Sequence, residues 1–76
     1  MKIGFVGLGT MGRHMASHLI AAGHALTVHD VRREAAAPHC AAGARWADTP
    51  RAVADGAEVV FTSLPGPAEV EAVVLG

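Results

Sequence analysis

A short apolar run leading straight into three spaced glycines constrains this chain more than any other feature. Ile3-Gly4-Phe5-Val6-Gly7-Leu8-Gly9-Thr10-Met11-Gly12 fits the pattern G-x-G-x-x-G. In a strand-to-helix turn each glycine has its own physical task. Gly7 lets the chain leave the strand in a tight turn, Gly9 clears the way for a pyrophosphate to approach the backbone, and Gly12 lets the new helix lie close on the strand. An anion on the helix N-terminus is then stabilised by unpaired N–H groups and the positive end of the helix dipole, with no lysine required. In a chain with nine glycines the spacing alone is weak evidence, so the surroundings must carry it. Three features do: an apolar strand at Ile3 to Val6, an amphipathic helix over Met11 to Ala22, and Asp30 closing a second strand eighteen residues after Gly12. Together they predict a dinucleotide site rather than ordinary turn glycines.

Taken in order, the chain alternates strand and helix. Lys2 to Val6 is apolar on both faces, as in a central parallel strand covered from both sides. Met11, Met15 and Leu19, with Ala16 and Ile20, give the following helix one apolar face, and Gly23 ends it. Ala25 to Asp30 alternates Leu26 and Val28 with Thr27 and His29, which delivers Asp30 to a strand's carboxyl end. Arg32 to Ala42 is alanine-rich and helical in composition, but Pro38 would clash with the carbonyl of Glu34, so this helix is short or kinked. A brief strand follows at Ala44 to Ala47. Thr49 before Pro50 is an N-cap followed by proline at the first helical position, and Gly56 stops that helix. Glu58 to Leu64 is a β-branched and aromatic fourth strand broken by Pro65, and Pro67 is expected to open a last helix with Val70, Val73 and Val74 on one face.

The expected fold class is therefore α/β: a Rossmann-type parallel sheet, β-α-β-α-β-α-β-α, with right-handed crossovers and strand order 3-2-1-4. At 76 residues it amounts to the first half of such a domain, and a chain this short buries only ~60% of its unfolded surface. The fourth strand, with Val59, Val60 and Phe61, would be an open apolar edge that invites another chain or the remainder of a larger protein. The chain is thus expected to be the N-terminal portion of a longer, truncated cofactor domain, residues 1–76, with no substrate domain.

Composition narrows the partners. A net charge of -1 with no basic run argues against nucleic acid and anionic membranes, and no apolar stretch approaches the ~18 residues of a membrane span. Arg13 and His14 follow the first apolar run too soon for a signal peptide. The single cysteine, Cys40, allows no internal disulfide and suits a reducing, cytoplasmic setting. His14 and His18 share the spacing of a two-histidine metal face, but no carboxylate or cysteine nearby completes a site, so they read as exposed helix residues. His24, His29 and His39 are isolated, and Trp46 covers apolar surface near the third strand.

Asp30 is the residue placed to choose between cofactors. Its carboxylate suits the adenosine 2′-hydroxyl of NAD, whereas a 2′-phosphate would meet like charge. Arg32 and Arg33 follow at once, and a guanidinium is what the 2′-phosphate of NADP requires, so NAD is favoured with NADP kept open. At Leu64-Pro65 the chain leaves the fourth strand on the side where ligands bind in open α/β sheets. The pair is either a cofactor contact or a strand terminator.

These residues resemble a known family. The run from Ile3 to Gly12, then Met15-Ala16, Leu19 and Gly23-His24, and later Gly43-Ala44, Thr49 to Asp55 and Ser63-Leu64-Pro65, is similar to the β-hydroxyacid dehydrogenases. These include 3-hydroxyisobutyrate dehydrogenase, tartronate semialdehyde reductase and the cofactor domain of 6-phosphogluconate dehydrogenase. The resemblance covers nearly the whole chain. It implies that Gly7, Leu8, Gly9, Thr10, Met11 and Gly12 hold the pyrophosphate. Asp30 and Val31, with Arg32 next to them, would frame the adenosine ribose, and Leu64 and Pro65 would lie towards the nicotinamide. Glu69 falls at a position that often faces the cofactor. The family's NADP-preferring members tend to carry asparagine-arginine in place of Asp30-Val31, which tilts the choice towards NAD. Its serine-glycine-glycine motif and catalytic lysine are not in this sequence, so the chain offers a cofactor cradle and no proton-transfer group.

Two readings from other classes stay open. One is a small non-enzymatic nucleotide-binding or interaction module complete at 76 residues, pairing through its fourth strand. The other, disfavoured by the tight glycine spacing and the Leu-Pro exit, is a methyltransferase with a glycine-rich loop.

Overall fold

The computed structural model describes residues 1–8, 10–64 and 69–74. β1 (Lys2–Val6) leads to α1 (Thr10–Ala21) and β2 (Ala25–His29). A single 3-10 stretch (Arg33–Ala36) then runs into α2 (Ala37–Ala41), followed by β3 (Arg45–Trp46), α3 (Pro50–Ala54), β4 (Val59–Leu64) and β5 (Glu69–Val74). The first four strands are parallel neighbours in the order 3-2-1-4, as the alternation of strands and helices requires.

Period-two burial builds one face of this sheet. Ile3 and Phe5 of β1 lie level with Leu26 and Val28 of β2, and all four are buried beneath Ala16 of α1 and Ala36 of the 3-10 stretch. Phe5 is fully buried and stacks on Phe61 of β4, ring centroids 5.7 Å apart. Met15, Leu19 and Ile20 close this layer from α1, which is the apolar stripe expected of that helix.

The opposite face is thinner and rests on α3. Thr49 caps that helix, its Oγ1 accepting the Ala52 N–H at 3.1 Å, with Pro50 at the first helical position. Its buried core is Val53 with Ala47 and Val60. Gly4 makes the contact possible. A Cβ there would lie 2.5 Å from Val53 Cγ1 and 3.0 Å from the Val53 carbonyl oxygen, so the helix can approach β1 this closely only over a glycine.

Pro38 acts as its chemistry predicts. The Arg32 to Ala42 segment is divided into a 3-10 stretch and a short α2 with Pro38 in its first turn. The final element departs from expectation: residues 69–74 form an antiparallel strand, Val59 opposite Val74 through Leu64 opposite Glu69, instead of a helix. Val70, Val73 and Val74 are β-branched and favour a strand, and a helix this short is marginal without strong packing. β4 offered an unpaired ladder that a strand satisfies and a helix does not. β4 is consequently paired on both sides, and the open edge expected at Val59, Val60 and Phe61 does not exist. Among the described residues, no helix is long and apolar enough to cross a membrane.

Candidate functional site

Because β1 to β4 are parallel, their carboxyl ends share one edge of the sheet, and the glycine turn leaves from its middle. Gly7 has φ 87°, a conformation costly for any residue with a side chain, and its N–H donates to the His29 carbonyl at 2.9 Å. The turn is thereby laced to the end of β2. Leu8 is buried, and its N–H donates to Asp30 Oδ2 at 2.7 Å. The other oxygen of that carboxylate, Oδ1, accepts the Arg32 N–H at 2.9 Å. One side chain thus joins the glycine turn to the corner after β2 by two charge-assisted bonds. A carboxylate has about four lone-pair sites, and among the described residues two N–H groups donate to Asp30.

The residues singled out in the sequence fall as follows. Gly7, Leu8, Asp30 and Arg32 meet at this edge, and Gly12 is buried in the first turn of α1. Thr10 and Met11 open α1, whose N-terminus faces the same edge. Val31 is 95% exposed, an apolar side chain held in solvent beside Asp30. Leu64 ends β4 on the shared edge, two residues past Thr62, which lies level with Val6. Gly9 and Pro65 lie outside the described residues. Glu69 opens β5 opposite Leu64.

Two histidines that look isolated in the sequence are tied down by carbonyls. His29 Nδ1 donates to the Ala47 carbonyl at 2.9 Å, joining the ends of β2 and β3. His39 is 4% exposed, and its Nε2 donates to the Arg13 carbonyl at 3.0 Å, tying α2 to the first turns of α1. No local sequence signal marks these pairs, because each partner is distant in the chain. Trp46 packs against the core, sits 5.4 Å from the His29 ring, and donates its indole N–H to Asp48 Oδ1 at 2.8 Å. The Arg33 guanidinium carbon lies 5.5 Å from the Trp46 ring centroid. His14 and His18 are exposed on α1, and no group of three metal-ligating side chains occurs among the described residues.

Beside the glycine turn a groove of ≈ 530 Å³ runs between α1 and the 3-10 stretch, lined by Leu8, Arg13, His14, Arg32 and Glu34 among others. A second hollow of ≈ 420 Å³, with Lys2, Arg45 and Asp55 in its wall, lies at the amino ends of the strands, away from the turn.

The sequence profile of the NAD binding domain of 6-phosphogluconate dehydrogenase matches residues 2–76. The chain belongs to this family. Membership in the 6-phosphogluconate dehydrogenase NAD-binding family makes it a nicotinamide-dinucleotide-binding domain. It is 42% identical over 74 residues to 3-hydroxyisobutyrate dehydrogenase of Pseudomonas aeruginosa, an alignment covering 97% of this chain and 25% of that protein. Solved structures at substantial identity share the fold, among them the following two. The 3-hydroxyisobutyrate dehydrogenase of Mycobacterium tuberculosis with L-serine superposes with a TM-score of 0.78 at 36% identity, covering 86% of this chain and 23% of that one. Psf3 in complex with NADP+ and 2-OPP superposes with a TM-score of 0.80 at 36% identity, covering 84% and 22%. The chain spans about a quarter of the length of the curated relatives it matches.

Proposed function

We propose that this chain is the NAD-binding part of an oxidoreductase that acts on the CH–OH group of a small β-hydroxyacid, of the 3-hydroxyisobutyrate dehydrogenase kind. The observation that carries the cofactor side of the reading is the Asp30 carboxylate, which accepts the Leu8 and Arg32 N–H groups among the described residues, fewer than a carboxylate can take. The 42% identity to 3-hydroxyisobutyrate dehydrogenase of Pseudomonas aeruginosa supports the hydroxyacid side. The residues present fit the dinucleotide. Gly7 to Gly12 and the N-terminus of α1 would receive the pyrophosphate, Asp30 the ribose hydroxyls, and the exposed Val31 an apolar face of the adenosine. Leu64, the last residue of β4, and Pro65 after it in the sequence would lie towards the nicotinamide.

NAD, when bound, supplies the hydride acceptor; this chain's residues bind and orient it. Asp30 carries the preference for NAD, since a 2′-phosphate beside its carboxylate meets like charge. The NADP+ bound to Psf3 keeps the other cofactor a real competitor, and Arg32, bonded through its backbone N–H to Asp30, is the cation it would use. The test is a titration of the natural protein carrying this sequence with NADH and NADPH. The expected result is tighter NADH binding, with the ratio falling in Asp30→Ala. An unaltered ratio would show that Asp30 does not face the ribose.

A further inference from the structure

The sequence leaves two neighbouring arginines beside Asp30 with no account of why they do not reverse its preference. Arg33 has a distinct seat. Its guanidinium lies 5.5 Å from the centre of the Trp46 ring, within the range of a cation–π contact. The indole is fixed from several directions. Its N–H donates to Asp48 Oδ1 at 2.8 Å, its ring centroid lies 5.4 Å from that of the tilted His29 ring, and it packs against the core cluster. His29 is itself held by the Ala47 carbonyl. Trp46 is therefore a prepared platform for Arg33 on β3, and β2 separates that strand from β1, which leads into the glycine turn where Leu8 and Arg32 engage Asp30.

We propose that Trp46 is a specificity-determining residue acting through Arg33: by seating the guanidinium on its indole it withholds that cation from the adenosine 2′-position and leaves Asp30 to read it. This rests on the proposed NAD reading. Physically, a guanidinium near the 2′-position would attract a phosphate and compete with ribose hydroxyls for the Asp30 carboxylate. A cation held over the Trp46 ring keeps its donors but must leave that seat to do either, so it does both less. Trp46 thus acts as a positioning residue and need not touch the cofactor.

The experiment compares NADH and NADPH dissociation constants in the natural protein carrying this sequence, using the cofactor's own fluorescence. Trp46→Leu is expected to lower the NADH-over-NADPH preference by about two- to five-fold, the factor an exposed cation–π contact is worth. Trp46→Phe, which keeps an aromatic face, is expected to restore most of it. Arg33→Gln alone should leave the ratio unchanged, and Trp46→Leu added to Arg33→Gln should then have no further effect on it. Loss of both affinities by one factor in Trp46→Leu would mark a merely structural tryptophan and overturn the proposal. So would an unchanged ratio, or a shift that persists without Arg33. A fall in NADPH affinity alone in Arg33→Gln would also overturn it, because Arg33 would then already face the phosphate. Should the unsubstituted protein bind neither nucleotide, the proposed function falls as well; binding with an unresponsive ratio sinks only this inference.

Discussion

The two faces of the sheet reach their packing by opposite means. The α1 face is filled by large side chains, with Phe5 stacked on Phe61 and Ile3, Leu26 and Val28 around it. The α3 face is closed by removing a side chain, since Gly4 lets Val53 and its carbonyl come against β1. Bulk holds one side and close approach the other. The glycine turn emerges between them, and Leu8 is buried as part of the larger cluster. The geometry of the turn therefore depends more on the filled face than on the thin one.

Truncating the filled face should have the largest effect. Phe5→Ala is expected to cost about 3–5 kcal/mol, as removal of a buried phenyl ring usually does, and thermal or denaturant unfolding would record it. A loss below about 1 kcal/mol would mean that the stack on Phe61 is dispensable. Filling the thin face should act next. Gly4→Ala drives a methyl into Val53 and is expected to cost about 1–3 kcal/mol; adding Val53→Ala should recover part of that loss, and failure to recover any would place the strain elsewhere. Neither change touches a group proposed to meet cofactor.

At the edge shared by both faces the expected effect moves from stability to selectivity. Asp30→Ala removes the carboxylate that accepts from Leu8 and Arg32, and the NADH-over-NADPH preference should drop by about ten-fold, the scale of one hydrogen bond to a charged group. Competitive titration would measure it. The smallest change is Thr49→Ala, which removes the cap of α3 and should cost about 1 kcal/mol with nucleotide affinity unaltered.

Much of this architecture is legible in the sequence because it is local. Alternation at Ala25 to His29, the four-residue stripe Met15 and Leu19, the Thr49-Pro50 cap and the break at Pro38 each declare themselves within a few residues. Together they give the parallel order 3-2-1-4. The last element was not legible. Val70, Val73 and Val74 fit a helical stripe by spacing, and what decides their conformation is pairing with β4, a tertiary choice that periodicity does not see. The same limit applies around the candidate site. Asp30 announces itself by its distance from Gly12, whereas the bond from His39 to the Arg13 carbonyl and the seat of Arg33 on Trp46 join residues with no common pattern. The absence of a side chain at Gly4 gains its meaning only from Val53, far along the chain.

The measurement that bears most directly on the central claim is NADH binding with and without room at the glycine turn. In the natural protein carrying this sequence, NADH should quench the fluorescence of Trp46, the chain's single tryptophan, and Gly9→Val should abolish that binding while the protein stays folded. Undiminished NADH binding by a folded Gly9→Val protein would contradict the assignment of this turn as the pyrophosphate cradle.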